Sequence, residues 1–244
     1  MSIASAETAF AALDTSGAIS AWGCSTYGGA GAPTGSGFVS IASTERAFAA
    51  LNSSGAISAW GFSAHVGSGA PTGSGFVSIA SSRFVFAALD SSGAISAWGH
   101  SPYGGTGAPT GSGFVSIAST ERAFAALDSS GAISAWGVSG YGGSGAPTGG
   151  GFVSIASADR AFAALDASGA ISAWGYSTYG GTGAPTGGGF VSIASTERAF
   201  AALDSSGAIS AWGNANSGGS GAPTASGFVS IASNHYVFAA LDSS

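Results

Sequence analysis

The sequence predicts an all-β protein: a β-propeller of 38-residue repeats, seven-bladed with the last blade incomplete. Three observations carry that expectation. Tryptophan recurs at Trp22, Trp60, Trp98, Trp136, Trp174 and Trp212, each 38 residues after the last and each inside Ala-Ile-Ser-Ala-Trp-Gly. Every period holds three apolar segments of about five residues separated by turn residues, which is the strand density of a propeller blade. The copies are also nearly identical, so each reads as one supersecondary unit that buries its faces against its neighbours.

The unit from Phe114 to Gly151 serves for all. Phe-Val-Ser-Ile-Ala opens it as a first strand. Ala-Phe-Ala-Ala-Leu is the second, although Thr120 to Asp128 also contains good helix formers and is followed by a plausible glycine stop. The divergent copies favour the strand, because the same window becomes Ser-Arg-Phe-Val-Phe at Ser82 to Phe86 and Asn-His-Tyr-Val-Phe at Asn234 to Phe238. Aromatic and β-branched residues fit a pleated surface. Asp-Ser-Ser-Gly follows as a hairpin turn, with an aspartate that can bond back to the backbone and a glycine that tolerates positive φ. Ala-Ile-Ser-Ala-Trp is the third strand. Gly-Ala-Pro-Thr suits a fourth, edge strand, where proline is tolerated. With apolar residues, alanine and serine on both faces, the strands are expected to be buried on both sides between stacked sheets.

The repeat count is uneven. Seven copies of the Ser-Ile-Ala-Ser to Ala-Leu half begin at Ser2, Ser40, Ser78, Ser116, Ser154, Ser192 and Ser230, against six copies of the Trp-Gly half. The chain 1–244 is therefore expected to be a single propeller domain of six and a half repeats. The alternative is six blades plus an overhanging N-terminal hairpin. A ring of this kind closes over half a blade, borrows a hairpin from another molecule, or stays open with exposed strand edges.

Composition narrows function. Only 7% of residues are charged and the net charge is -6, yet 45% are hydrophobic, which rules out a disordered polyampholyte. The basic residues are five arginines without a single lysine, so no stripe exists to neutralise several phosphates and nucleic acid is not an expected partner. No apolar run of about 18 residues argues for membrane insertion, and the N-terminus lacks the basic start and continuous apolar region of a secretory signal. Cys24 stands alone, which leaves the redox compartment and the localisation open.

Six aspartates, Asp14, Asp90, Asp128, Asp166, Asp204 and Asp242, occupy the hairpin turn, with Asn52 in the same place in the second copy. They account for the net charge and read as turn chemistry; one carboxylate per unit falls short of what calcium needs. All other charges lie in the loop after Ser-Ile-Ala-Ser: Glu7, Glu45, Arg46, Arg83, Glu121, Arg122, Asp159, Arg160, Glu197 and Arg198, joined there by Phe84, His235 and Tyr236. Such loops read either as a solvated rim or as a binding face, since arginine and aromatic residues together are what interface anchors use. A second variable window follows Trp-Gly and holds Tyr27, Phe62, His65, His100, Tyr103, Tyr141, Tyr176 and Tyr179. It reads as a second loop face, with tyrosines packed on the next blade or stacked on sugar rings. The three histidines come from different repeats and no two share metal-ligand spacing. The glycine runs lack a following lysine and are turns, not phosphate cradles. No catalytic set, cofactor or metal is expected, and a small-molecule substrate is not.

The pattern Ser-Ile-Ala-Ser-x-x-x-Ala-Phe-Ala-Ala-Leu-Asp-x-Ser-Gly-Ala-Ile-Ser-Ala-Trp-Gly-x-Ser-x-Tyr-Gly-Gly resembles the regulator of chromosome condensation repeat over essentially the whole chain. The resemblance implies a propeller, typically of seven blades. The compact period is most similar to the short-repeat bacterial members, among them the β-lactamase inhibitory propeller, which by resemblance binds its partners through one ring of loops. The Gly and His that usually flank the first loop are replaced, as in Ile41-Ala42-Ser43 and Ala47, so nucleotide exchange on a small GTPase is not carried over. The expected function is a non-catalytic propeller that presents loop rims to a protein partner. The alternatives are a self-assembling structural subunit, its half-blade completed by another copy of itself, and a carbohydrate-binding propeller.

Overall fold

The computed structural model describes residues 1–63 and 69–242. Two compact units divide the chain, Met1–Arg122 and Ala123–Ser244. In the first, β1 (Ser2–Ser5), β2 (Ala9–Leu13) and β3 (Ile19–Gly23) form one antiparallel sheet in that order; β4 (Phe38–Ser43), β5 (Ala47–Asn52) and β6 (Ile57–Gly61) form the next; β7 (Phe76–Ser81), β8 (Val85–Asp90) and β9 (Ile95–Gly99) form the third. Strand β10 (Phe114–Ser119) packs beside β7 and β8. The second unit starts with the hairpin of β11 (Ala123–Asp128) and β12 (Ile133–Gly137). Two three-stranded sheets follow, β13 (Phe152–Ser157), β14 (Ala161–Asp166), β15 (Ile171–Gly175), then β16 (Phe190–Ser195), β17 (Ala199–Asp204), β18 (Ile209–Gly213). The unit ends on two strands, β19 (Phe228–Ser233) and β20 (Phe238–Asp242).

The window that admitted a helix is strand in the described copies, as the aromatic and β-branched substitutions predict. Its residues explain why. In β5, β8, β11, β14 and β17 the first five positions are buried without alternation, so each of these strands is covered on both faces. Phe162 sits opposite Trp174 in the register and the two rings stack at 5.1 Å. On its other face the strand presents alanine, and the next sheet presses its Phe and Trp onto it: Phe200, Ala202 and Trp212 pack against Ala161 and Ala163. Phe48, Ala50 and Trp60 pack on Ala9 and Ala11 in the same way. Large side chains on one face and small ones on the facing sheet let the layers interdigitate.

Two expectations need correction. The first strand of each blade is not covered on both sides: Val39, Val77, Val153, Val191 and Val229 are more than half exposed. The reason is a bulge, since the register with the second strand shifts between Phe38 and Ser40 and at the equivalent places, which turns the valine outward. The Gly-Ala-Pro-Thr segments form no fourth strand among the described residues. Proline supplies no ladder donor, and glycines held at positive φ on either side, Gly145 and Gly149 for example, break the extended run.

The hairpin turn shows why aspartate recurs. Oδ1 of Asp128 accepts the backbone N–H of Ser130 at 2.8 Å, the Ser130 hydroxyl at 2.7 Å and the backbone N–H of Ala132 at 2.9 Å. Asn52 accepts the same three bonds from Ser54 and Ala56. The serine hydroxyl first, then the backbone N–H groups, lower the carboxyl of Asp14, Asp90, Asp128, Asp166 and Asp204 below the ordinary aspartate value of 3.8. A folded-state value below the unfolded one stabilises the fold above the unfolded value, and that contribution is lost as pH falls through the folded value. The melting temperature should therefore drop as pH is taken below about 4. Asp128→Asn should keep the neutral-pH melting temperature near that of the parent while Asp128→Ala lowers it, as thermal unfolding followed by circular dichroism would check.

Candidate functional site

In each three-stranded sheet the chain runs up, down and up. The loop between the first two strands and the loop after the third therefore leave the sheet at one end, and the aspartate turn leaves at the other. The two variable windows, expected from the sequence to be separate faces, are one surface in each unit. Backbone bonds join them: Phe62 N–H donates to the Arg46 carbonyl at 2.9 Å, His100 N–H to Phe84 at 3.2 Å, Tyr176 N–H to Arg160 at 2.9 Å and Asn214 N–H to Arg198 at 2.9 Å.

In the first unit the loops are also chained laterally. Glu7 N–H donates to the Glu45 carbonyl, Glu45 N–H to Arg83 and Arg83 N–H to Glu121, at 2.8, 3.0 and 3.1 Å. The side chains follow the same path. Arg83 grips Glu45 through Nε to Oε2 at 2.6 Å and Nη2 to Oε1 at 3.2 Å, and its Nη1 lies 3.9 Å from Glu121. The Glu45 bond raises the Arg83 guanidinium further above its ordinary value. Arg46 pairs with Glu7 at 3.6 Å and lies over the Tyr27 ring at 5.1 Å, with Phe62 edge-on to Tyr27 at 6.0 Å. Phe84 and His100 both stack on Tyr103, at 5.6 and 4.4 Å, and Arg122 covers the same tyrosine at 4.7 Å.

The second unit repeats the theme. Arg160 is sandwiched between Tyr141 at 4.8 Å and Tyr179 at 5.0 Å, and Arg198 lies over Tyr179 at 5.3 Å. Tyr176 stands edge-on to Tyr179 and is 46% exposed. Asp159 N–H donates to the Glu197 carbonyl and Glu197 N–H to His235. His235 Nδ1 is 2.9 Å from the Glu197 carboxylate, and the adjacent Tyr236 ring is 56% exposed. His65 lies outside the described residues.

What the sequence reading missed is the glycine after the tyrosine. Gly28, Gly142 and Gly180 each follow a short 3-10 turn in a left-handed conformation, and their carbonyls accept the indole Nε1–H of Trp60, Trp174 and Trp212 at 3.0 Å. The glycine is the part buried against the next sheet, and the tyrosine is left half-buried to meet arginine. In the two-stranded last sheet Gly218 faces Phe238 beside a cavity of 460 Å³, also lined by Ala201, Ile209, Ala211 and Pro223. That cavity is where a tryptophan stacks in the complete sheets.

Cys24 is exposed, and the backbone N–H groups of Thr26 and Tyr27 lower its thiol below the ordinary value. Among the described residues no three of His, Cys, Asp and Glu are grouped as a metal set, and no helix is long and apolar enough to cross a membrane.

Serial 38-residue antiparallel blades, buried face to face and carrying their variable loops at one end, define a β-propeller, and the repeats give about seven blades. No protein-family profile matches the chain, and no curated protein matches it in sequence. Solved propellers match it in fold. The CRINKLY WD40 ectodomain of the Arabidopsis thaliana receptor kinase ACR4 is similar with a TM-score of 0.58 and 18% identity, over 97% of this chain and 87% of that one. Prp20p of Saccharomyces cerevisiae, the yeast RCC1 described with its binding properties to Gsp1p and histones, is similar with a TM-score of 0.58 and 18% identity, over 100% of this chain and 77% of that one. Human WBSCR16 has a TM-score of 0.57 and 13% identity, over 86% and 75%.

Proposed function

We propose that the chain is a non-catalytic propeller that binds a protein partner through the loop end of its blades. The observation that carries this reading is the convergence of both variable windows on one end of the sheets, where arginines are held against tyrosines: Arg160 between Tyr141 and Tyr179, Arg46 on Tyr27, Arg122 on Tyr103. Arginine and tyrosine are the residue types that dominate protein interfaces. Stacking holds the guanidinium in place before a partner arrives, which reduces the side-chain entropy lost on binding. Variation supports the same end. The strands and the aspartate turns are nearly invariant between repeats, and the differences gather where Phe84, His100, Tyr176, His235 and Tyr236 sit. That makes the surface directional. Prp20p, similar in fold, is a propeller with protein partners.

The test is capture from a native extract of the source cells on the immobilised protein, comparing the parent with Arg46→Ala/Arg83→Ala and with Arg160→Ala/Tyr179→Ala. Bound proteins should be retained by the parent and weakened at least about tenfold by loss of a stacked pair, the size of effect expected for an interface anchor. An unchanged set of captured proteins with both variants removes this end as the site.

A further inference from the structure

The two end sheets of the chain stand apart from the rest. A three-stranded sheet buries an Ile, a Phe and a Trp on the alanine face of the sheet before it: Ile41, Phe48 and Trp60 meet Ala4, Ala9, Ala11 and Ala21. Phe86, Trp98 and Ile79 meet Ala42, Ala47, Ala49 and Ala59 in the same way. Tryptophans in these positions are 4–6% exposed and the phenylalanines 0%. In the first sheet, β1 to β3, the equivalent residues are uncovered: Ile3 is 69% exposed, Phe10 42% and Trp22 47%. At the other end, β20 and Val237, the residue before it, show the opposite face. Val237 and Leu241 occupy the positions of Ala199 and Leu203, which are 0% and 4% exposed, yet they are 54% and 63% exposed themselves, with Ala239 exposed between them.

We infer that these two faces are the halves of one intermolecular interface, in which the first sheet of one copy of this chain docks head-to-tail on the last sheet of another. The occupant is a second copy because the chain makes this contact with itself: Ile3, Phe10 and Trp22 are equivalent to the large side chains set on the alanines of the preceding sheet at the junctions just described and at that of Phe200 and Trp212 with Ala161 and Ala163, and the last sheet offers Ala239 at the position of those alanines. Exposed apolar area of this kind, centred on a phenylalanine and a tryptophan already stacked at 5.6 Å, marks an interaction surface. Strand β20, Phe-Ala-Ala-Leu-Asp, also has none of the lysine or proline that protects a free edge. Since head and tail are different surfaces, the contact is heterologous and propagates into a closed ring or an open filament.

The experiment uses the purified full chain over a concentration series, with mass followed by sedimentation and the environment of Trp22 by emission and acrylamide quenching. The parent should rise above monomer mass, with a blue shift and loss of quenching that Trp22→Ser abolishes. Head-blocked Phe10→Ser/Trp22→Ser and tail-blocked Ala239→Arg should each stay monomeric, association being weakened at least about tenfold. Their equimolar mixture, holding one intact tail and one intact head, should form a dimer and stop there. Leu241→Glu serves as a second tail variant, and circular dichroism melting verifies that each variant is folded. A parent that is monomeric at every concentration overturns the inference, whether Trp22 is quenchable or shielded. So does a tail-blocked chain that still dimerises, which would mean the head face pairs with itself, or a mixture that remains monomeric.

Discussion

Phe162→Ala is expected to lower the free energy of unfolding by about 3–5 kcal/mol, the cost of removing a fully buried aromatic ring from a core that relaxes little. The ring is 0% exposed and stacks on Trp174, and its deletion leaves a gap beside Gly142. Phe10→Ala makes the same chemical change in the same local sequence, Ala-Phe-Ala-Ala-Leu, and should cost less than half as much, because Phe10 is 42% exposed and has no sheet in front of it. Chemical denaturation of the two variants beside the parent measures the contrast. Equal losses at both positions would mean that the first sheet is as well covered as the fifth repeat, and would count against the uncovered head face.

Gly142→Ala is the second large effect. Its φ is +89°, and an added Cβ would sit 2.6 Å from Phe162 Cδ2 and 2.9 Å from Cε2. The left-handed backbone costs an ordinary L-residue about 1–2 kcal/mol, and forcing a methyl group into a packed core costs about 1–3 kcal/mol more. A loss of about 2–5 kcal/mol is expected, seen as a lower urea midpoint. Relief of the clash by backing residue 142 away from Phe162 would pull its carbonyl from the Trp174 indole, so the emission of the variant should shift as well. Gly145 is the control: its φ is +82° but no atom lies within 4 Å of an added Cβ, so Gly145→Ala should show the backbone cost alone.

Much of this architecture is legible before any coordinates. The period, the three strands, the hairpin at Asp-Ser-Ser-Gly and the choice of strand over helix in the second segment all rest on local chemistry: turn residues, β-branched substitution and one recurring tryptophan. The charged and aromatic residues of the loop rim are legible too, because they are what varies in an otherwise repeated text. That the two windows share one end of the sheet follows from three strands running up, down and up, and could have been drawn from the strand count. The bulge that turns Val39 and its equivalents outward carries no such mark. Phe-Val-Ser-Ile-Ala reads as apolar throughout, and only the register against the second strand displaces one residue.

Repetition itself sets the boundary between the two kinds of knowledge. Phe10 and Phe162, Trp22 and Trp174, Leu241 and Leu203 are the same residues in the same local context, and sequence determines the strand they form and the face they point to. Whether that face is buried depends on whether another sheet lies against it. Burial is a property of pairs of sheets, and Phe10, Trp22 and Leu241 are exposed where Phe162, Trp174 and Leu203 are covered. The sequence by itself therefore determined the blade, its turns and the composition of its loops. Tertiary structure alone decided which tryptophan is left exposed, which glycine must lie under a phenylalanine ring, and which arginine is clasped between two tyrosines, because those outcomes come from packing between units that the sequence writes identically.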